Sequence, residues 1–307
     1  MHPSAALTFY GAWLTAALAA AGSFGCLPGD TRPEPGSLLT TVSGSSATRQ
    51  GVTTADGWSL FFRRALLLVG PMQLGDECNK HAEYSEPGYE RLLDLTYPDP
   101  QKLSIMYGIG SCDVDFKLGV GEERNDVLLG AGVSEADLAS QLTGGASPFA
   151  DAWNGVALHI EGRASRGART EFFFWDIRQT LFFIECSAVI DGQLESGLTL
   201  KSGEARTYDL LLEVEALFRN DVDRDMAALR FDPFADADAT LGNGDGWVTL
   251  GELNLVSLDE LRASGAGPYT LQRTGAETLG DYMYGEQWPA MLRFRDTGEC
   301  KVSTVED

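Results

Sequence analysis

The chain has 307 residues and a net charge of −22, from 23 basic and 45 acidic residues. A surface so acidic repels nucleic acid and anionic lipid head groups and favours cations, and no basic stripe or basic-aromatic cluster interrupts it. No nucleic-acid partner is expected, and an apolar content of 44% is enough for a full globular core.

The first segment is apolar. No Asp, Glu, Lys or Arg precedes Cys26, and Ala5 to Phe24 is almost wholly apolar or small, densest from Trp13 to Ala21. It ends in Ser23-Phe24-Gly25-Cys26, the layout of a secretory signal peptide over 1–26. A Cys after a small residue also resembles the lipobox of bacterial lipoproteins, which implies an acylated Cys26 and a membrane partner through an N-terminal lipid. Two features depart from that pattern: no Lys or Arg precedes the core, and Ser23 stands where the lipobox has Leu. Cleavage without lipidation is a competing reading, and so is retention as a short anchor, since about 20 apolar residues can span a bilayer. Residues 27–54 are rich in Pro, Gly, Ser and Thr and read as a flexible linker.

From Asp56 onward the pattern is that of strands. Trp58 to Val69 is apolar and branched and is stopped by Gly70-Pro71. Arg91 to Leu95 and Leu103 to Tyr107 are short candidates, and Asp113 to Val120 alternates with period two. Gly155 to Ala164, Thr170 to Ile177, Leu181 to Ser187 and Arg206 to Phe218 follow. The aromatic run Phe172-Phe173-Phe174-Trp175 reads as core and sheet face rather than a ligand platform. Helices are few. Ser134 caps Glu135 to Leu142 with Asp137 at the capping-box position, and Ser257 to Ala263 and Glu277 to Leu292 are the others, the last broken at Pro289. The expected fold is mainly β: an antiparallel β-sandwich over 55–220, with short helices and an EF-hand-like C-terminal loop in an extension, 221–307, packed on it.

Apart from Cys26, four cysteines remain: Cys78, Cys112, Cys186 and Cys300. An even number of widely spaced cysteines in an exported chain points to two disulfides. Three pairings can be drawn. Cys78–Cys112 with Cys186–Cys300 is favoured, because the first two share one half of the chain and the second bridge would tie the C-terminal tail to the sheet.

The most informative stretch is Phe231 to Leu253, with its core from Asp236. Calcium takes several oxygens around a tight turn closed by a bidentate carboxylate. Asn243 and Asp245 fit the third and fifth positions of such a loop, Gly246 the sharp turn, the Trp247 carbonyl the seventh position, and Glu252 the closing ligand. Leu241 stands where the first Asp belongs. Asp238 or Asp236 completes the set if the Ala239-Thr240-Leu241 segment bulges; otherwise the site lacks a carboxylate. The alternative is an acidic, Gly-rich surface loop without an ion.

Catalytic signatures are sparse. The three histidines are His2, in the signal segment, His81 and His159, so a His triad for zinc cannot form in the mature chain. No Gly-x-Ser-x-Gly elbow and no phosphate-cradling loop occurs. His159 reads as a satisfied sheet residue and His81 as a loop residue. No catalytic residue is assigned.

The order of segments from about Asp56 to Phe218 resembles the MbnP-like periplasmic lipoproteins. The matching pieces are Asp56-Gly57, Leu92 to Pro98, Gly108-Ile109-Gly110 leading into Asp115 to Val120, Leu158 to Gly162, and Tyr208 to Phe218. The chain is also similar to exported proteins of myxobacterial type that add an EF-hand-like loop and a final Gly-Glu-Cys, here Gly298-Glu299-Cys300. The first resemblance implies a β-sandwich in the periplasm or on the outer membrane, copper handling, and a periplasmic redox partner. No copper ligand carries over: Asn125-Asp126 replaces an Asn-His, and Phe173-Phe174-Trp175 occupies a strand that carries His in the family. The leading expectation is an exported, lipid-anchored, non-catalytic binding or surface module with one structural calcium. A copper-handling protein and an acid-pair hydrolase are the alternatives.

Overall fold

Alternation along the chain sets out the sheets. In Val114–Leu118 and Arg169–Ile177 every second side chain is buried, as the pleat of a half-buried strand requires. The computed structural model describes residues 33–75, 78, 90–119, 127–143, 155–295 and 298–303. The signal segment, Cys26, His81 and Asn125-Asp126 lie outside the described residues.

Two sheets share one apolar core. The smaller has four strands in the order β16 (Leu292–Phe294), β14 (Ala205–Leu212), β1 (Gly36–Gly44) and β5 (Gln101–Gly108). The larger runs β12 (Gln193–Ser196), β11 (Leu181–Ile190), β7 (Val114–Leu118), β3 (Ser59–Leu74), β9 (Leu158–Arg166), β10 (Arg169–Ile177) and β15 (Trp247–Val248). On this sheet β2 (Val52–Thr53) and β4 (Glu90–Asp94) flank β3, β8 (Val127–Leu129) pairs with β4, and β17 (Glu299–Ser303) with β11. A further pair joins β6 (Gly110–Cys112) and β13 (Leu198–Leu200). Most pairings are antiparallel; β1 with β14, β4 with β8 and β10 with β15 are parallel. The protein is mainly β, with short helices, as the sequence indicates.

Inward side chains of both sheets meet in the core: Leu38, Val42, Leu210 and Phe294 from one, and Phe62, Ile160, Phe173 and Trp175 from the other. The helix Glu135–Thr143 covers part of the outer face of the large sheet, where Leu138 packs on Leu66, Leu68 and Leu92. Elsewhere on that face Phe61, Phe172 and Phe174 are exposed.

Three expectations are corrected. Residues 27–54 are not a linker throughout: Gly36–Gly44 is a central strand paired on both sides, and the helix Ser46–Gln50 and β2 follow it. Local composition misled because the burial comes from β5 and β14, far away in sequence. The strand predicted to reach Phe218 ends at Leu212, and Val214–Phe218 is a wholly buried 3-10 helix. Its Glu215 alternates with apolar residues yet is buried, accepting hydrogen bonds from the Ser45 and Thr48 hydroxyls. Third, the segment after residue 221 is not packed on the sandwich as a separate extension. It supplies β16 to one sheet and β15 and β17 to the other, and from Glu34 onward the chain is one compact unit.

Both favoured disulfides form, Cys78–Cys112 and Cys186–Cys300. The second joins β11 to β17, so it fastens the tail to the large sheet directly after that tail leaves β16 in the small one. Among the described residues no helix is long and apolar enough to cross a membrane.

Candidate functional site

The acidic loop is built on a bulge. After the helix Asp232–Asp236 the chain widens into a π-helical turn, Ala237–Leu241, which accommodates the extra residues relative to a regular calcium loop. The bulge turns Asp238 inward, to 2% exposure, and its two carboxylate oxygens accept the N–H groups of Asp245 and Gly246, each at 3.1 Å. Asp236 faces away, with its carboxylate largely exposed and 3.8 Å from the Arg169 guanidinium. Of the two candidates for the first position, Asp238 therefore joins the loop and Asp236 does not.

The other residues surround the same turn. Asn243 Oδ1 accepts the Asp245 N–H at 3.2 Å, and its amide donates to Asp245 Oδ2 at 2.9 Å. Gly246 has φ of 81°, a backbone state that glycine adopts without strain. Glu252 closes the loop. One of its oxygens accepts the Thr249 N–H at 2.8 Å while Thr249 caps the helix Leu250–Leu253, and the other faces the Asn243 N–H at 3.4 Å. As placed, no three His, Cys, Asp or Glu side chains among the described residues form a ligand cluster for one ion. The loop carboxylates are turned to backbone N–H groups.

One residue of this site was missed. Glu171 on β10 is 3% exposed; one carboxylate oxygen pairs with Arg169 at 2.5 Å and the other, though buried, has no hydrogen-bond partner. That orphan oxygen lies 3.7 Å from where a Cβ on Gly246 would sit, against the acidic loop. In the fold Glu171 shares the inward phase of the strand with Phe173, Trp175 and Ile177, a place where a carboxylate needs a reason.

Trp247 links the loop to a second feature. Its strand pairs with β10, the Gly246 carbonyl accepts the Phe172 N–H at 2.8 Å, and Trp175 Nε1 donates to the Val248 carbonyl at 2.8 Å. The indole lies outside the loop, on the outer face of the large sheet, stacked on Phe172 with centroids 5.2 Å apart. Phe61 and Phe174 share that face, and the four rings are 39–54% exposed. The run Phe172 to Trp175 thus divides: Phe173 and Trp175 are core, as read, while Phe172 and Phe174 are surface.

Beside these rings lies an ion network. His159 on β9 bridges Asp176 at 2.7 Å and Glu161 at 3.1 Å, and Glu161 also pairs with Arg63. Both ring nitrogens are engaged, so the imidazole has no nitrogen free for copper. Burial pushes the His159 pKa down, but the hydrogen bonds and charges of Asp176 and Glu161 outweigh it and the net shift is upward. For Glu161, burial pushes upward and is outweighed by His159 and Arg63, so its net shift is downward. The raised His159 contributes stability fully below its ordinary value of 6.5, and that contribution is lost as pH rises through the folded pKa. The lowered Glu161 contributes above its ordinary value of 4.5 and loses this as pH falls. The network is therefore complete between these two values. Melting temperature should decline on the alkaline side of that window, and His159→Gln should remove the decline; parallel pH profiles for both proteins would show that the bridge carries no stability.

An acidic cleft of about 520 Å³ is lined by Asp56, Asp232, Asp236 and Glu260. Asp56 accepts the N–H groups of Phe231 and Asp232, and Asp232 accepts from Trp58 Nε1 and pairs with Arg166. Both carboxylates are held in place by the fold. No family model, curated protein or solved structure matches this chain.

Proposed function

We propose that this is an exported binding module whose acidic loop is stapled by one calcium ion. Asp238, Asn243, Asp245, the Trp247 carbonyl and Glu252 would hold the ion, as in an EF-hand-like loop in which Asp238 supplies the missing first carboxylate. The observation that carries the reading is the orphaned buried oxygen of Glu171 against Gly246, in a region where Asp238 and Glu252 are buried as well. Asp238 and Glu252 are buried at this turn and Glu171 approaches it from β10, with Arg169 pairing only Glu171 at close range, so a cation here would offset their charge. Hard oxygen donors and a glycine turn favour calcium over softer metals.

The ion's role is structural. It would fix the turn that delivers β15 to the sheet edge, and with it the Trp247 indole. Two disulfides in a chain with an apolar leader support export, and the Ser23-to-Cys26 pattern supports a lipid anchor on Cys26.

The test is metal content with melting. Protein purified without added metal or chelator should carry close to one calcium per chain. At calcium about a hundred times Kd the fold should gain about 2.7 kcal/mol over the chelated protein. Asp238→Asn and Glu252→Gln, which keep shape and remove charge, should abolish that gain. A metal-free protein whose melting ignores both calcium and chelator overturns the proposal.

A further inference from the structure

The outer face of the large sheet carries a ladder of four side chains in register. Phe61 on β3 pairs with Arg163 on β9, Arg163 with Phe172 on β10, and Phe172 with Trp247 on β15. At the spacing of neighbouring strands the row is about 14 Å long. Its members lie on one face because each occupies the outward phase of its strand. Phe174 stands beside Phe172, two residues along β10, with its ring edge-on to His159 at a centroid distance of 4.6 Å.

Between the rows the floor is Gly162. A Cβ there would point to the inner face and collide with the Phe173 ring and the Phe61 carbonyl, so glycine lets the core ring of Phe173 pack directly under the strand. The result is a shallow groove of about 350 Å³ with Arg63, Glu161 and Arg163 beside the rings. The adjoining part of the same face is closed by the helix Glu135–Thr143 over Leu66 and Leu68.

We propose that this ladder binds an anionic polysaccharide, a glycan bearing uronate carboxylates, through ring stacking on Phe61, Phe172, Phe174 and Trp247 and through the Arg163 guanidinium. This rests on the reading of the chain as a binding module and names the face and the ligand class. Pyranose rings present apolar C–H faces with partial positive charge, which match the negative π-faces of aromatic rings. Their edges carry hydroxyl and carboxylate oxygens, which match a guanidinium fork.

The order of the ladder chooses between occupants. Arg163 sits in the middle of it, exposed, with its guanidinium 5.9 Å from the Phe61 ring centroid and no carboxylate partner among the described residues. An acyl chain or an apolar protein face laid on the rings would bury that guanidinium without acceptors, at a large cost. A sugar chain supplies acceptors at the same level as its stacking faces. Charge selects the anionic class. Glu161 is already paired with Arg63 and His159, so the unspent charge on this face is that of Arg163, positive on a chain whose net charge is −22. An anionic lipid surface would meet the rest of that negative charge, whereas one extended polymer strand meets only the groove.

The experiment is titration calorimetry of the whole protein with a short oligogalacturonate, a neutral β-glucan oligosaccharide of equal length, and vesicles of neutral and anionic phospholipid. Calcium content and melting are measured on the same samples. The oligogalacturonate should bind, the neutral sugar at least about tenfold more weakly, and the vesicles not at all. Trp247→Ala, Phe172→Ala and Arg163→Gln should each weaken binding at least about tenfold. Phe61 and Arg163 are exposed side chains on β3 and β9, separated from β15 by β10, so Phe61→Ala and Arg163→Gln should do so with unchanged calcium content and melting. Equal binding of the neutral sugar overturns the anionic assignment, and binding to vesicles alone assigns the face to lipid. A folded protein that binds none of these overturns the inference whether or not it holds calcium. Sugar binding by a protein without calcium sustains this inference while the calcium reading fails.

Discussion

Replacing Cys186 and Cys300 together by alanine is expected to lower stability by about 5 kcal/mol, close to the total for many domains. The bridge spans a sequence separation of 114 residues, against 34 for Cys78–Cys112. A cross-link restricts the unfolded chain more as its loop lengthens, so the loop-entropy difference between the two bridges is about 1 kcal/mol. Topology adds to this. β16 belongs to the small sheet and β17 to the large one, with an isolated bridge between Phe294 and Gly298 where the chain passes from one to the other. Without the bridge, β17 is held to β11 by a ladder interrupted between Ile184 and Ser187. Urea unfolding of the double variant, with the other disulfide intact, measures the effect. A loss below about 1 kcal/mol would mean that the tail docks without the bridge and that unfolded-state restriction is not what the bridge supplies.

The disulfide pairing and most strands were legible in the sequence because their signals are local or combinatorial. Alternation in Val114–Leu118 and Arg169–Ile177 needs only the pleat. β1 was not legible, because Gly36–Gly44 has the composition of a tether and becomes a central strand only through β5 and β14. The same limit applies to the site. Asn243, Asp245, Gly246 and Glu252 stand out by spacing, whereas the sequence leaves open whether the segment before them bulges and which of Asp236 and Asp238 it turns inward; the π-helical turn turns in Asp238. Glu171 reaches the loop through the β10–β15 pairing, which no local pattern shows. Trp247 was read for its carbonyl alone, whereas its side chain faces the other way and joins the ladder. Period two places Phe172 and Phe174 on one face and Phe173 and Trp175 on the other. With aromatic residues in both phases it could not say which face the core would take.

The acidic loop and the aromatic face meet at one two-residue strand. β15 is held to β10 by the Gly246 carbonyl and by Trp175 reaching Val248, and both attachments sit at the end of the loop that Asp238 organises. A cation held by the loop would therefore act on the proposed ligand affinity through the position of one indole, while the rings on β3 and β10 stay fixed by the sheet. Calcium should change the affinity of the ladder without creating it.

The other large effect is expected at Glu286, a carboxylate with no exposed surface in the π-helical turn Met283–Gln287. It accepts the N–H groups of Gln272, Arg273 and Thr274 at 2.7–3.1 Å, and the Thr274 hydroxyl at 3.0 Å. Three successive backbone donors aimed at one carboxylate are a complete anion nest whose anion belongs to the protein. Glu286→Ala leaves those donors buried without acceptors, at about 1–3 kcal/mol each where water cannot replace the lost oxygen. Water entering the space left by the side chain would recover part of this, so the net loss should be roughly 4 kcal/mol. Glu286→Gln separates charge from shape: it keeps one acceptor oxygen but turns an NH2 toward donors, so it should cost roughly half as much. Urea unfolding of both variants, with hydrogen exchange at Gln272 to Thr274, reads the result. Protection of those three amides should fall by more than the change in global stability accounts for. If exchange there follows global unfolding in both variants, the loop is held by its other contacts, and the buried carboxylate is not what closes it onto the helical turn.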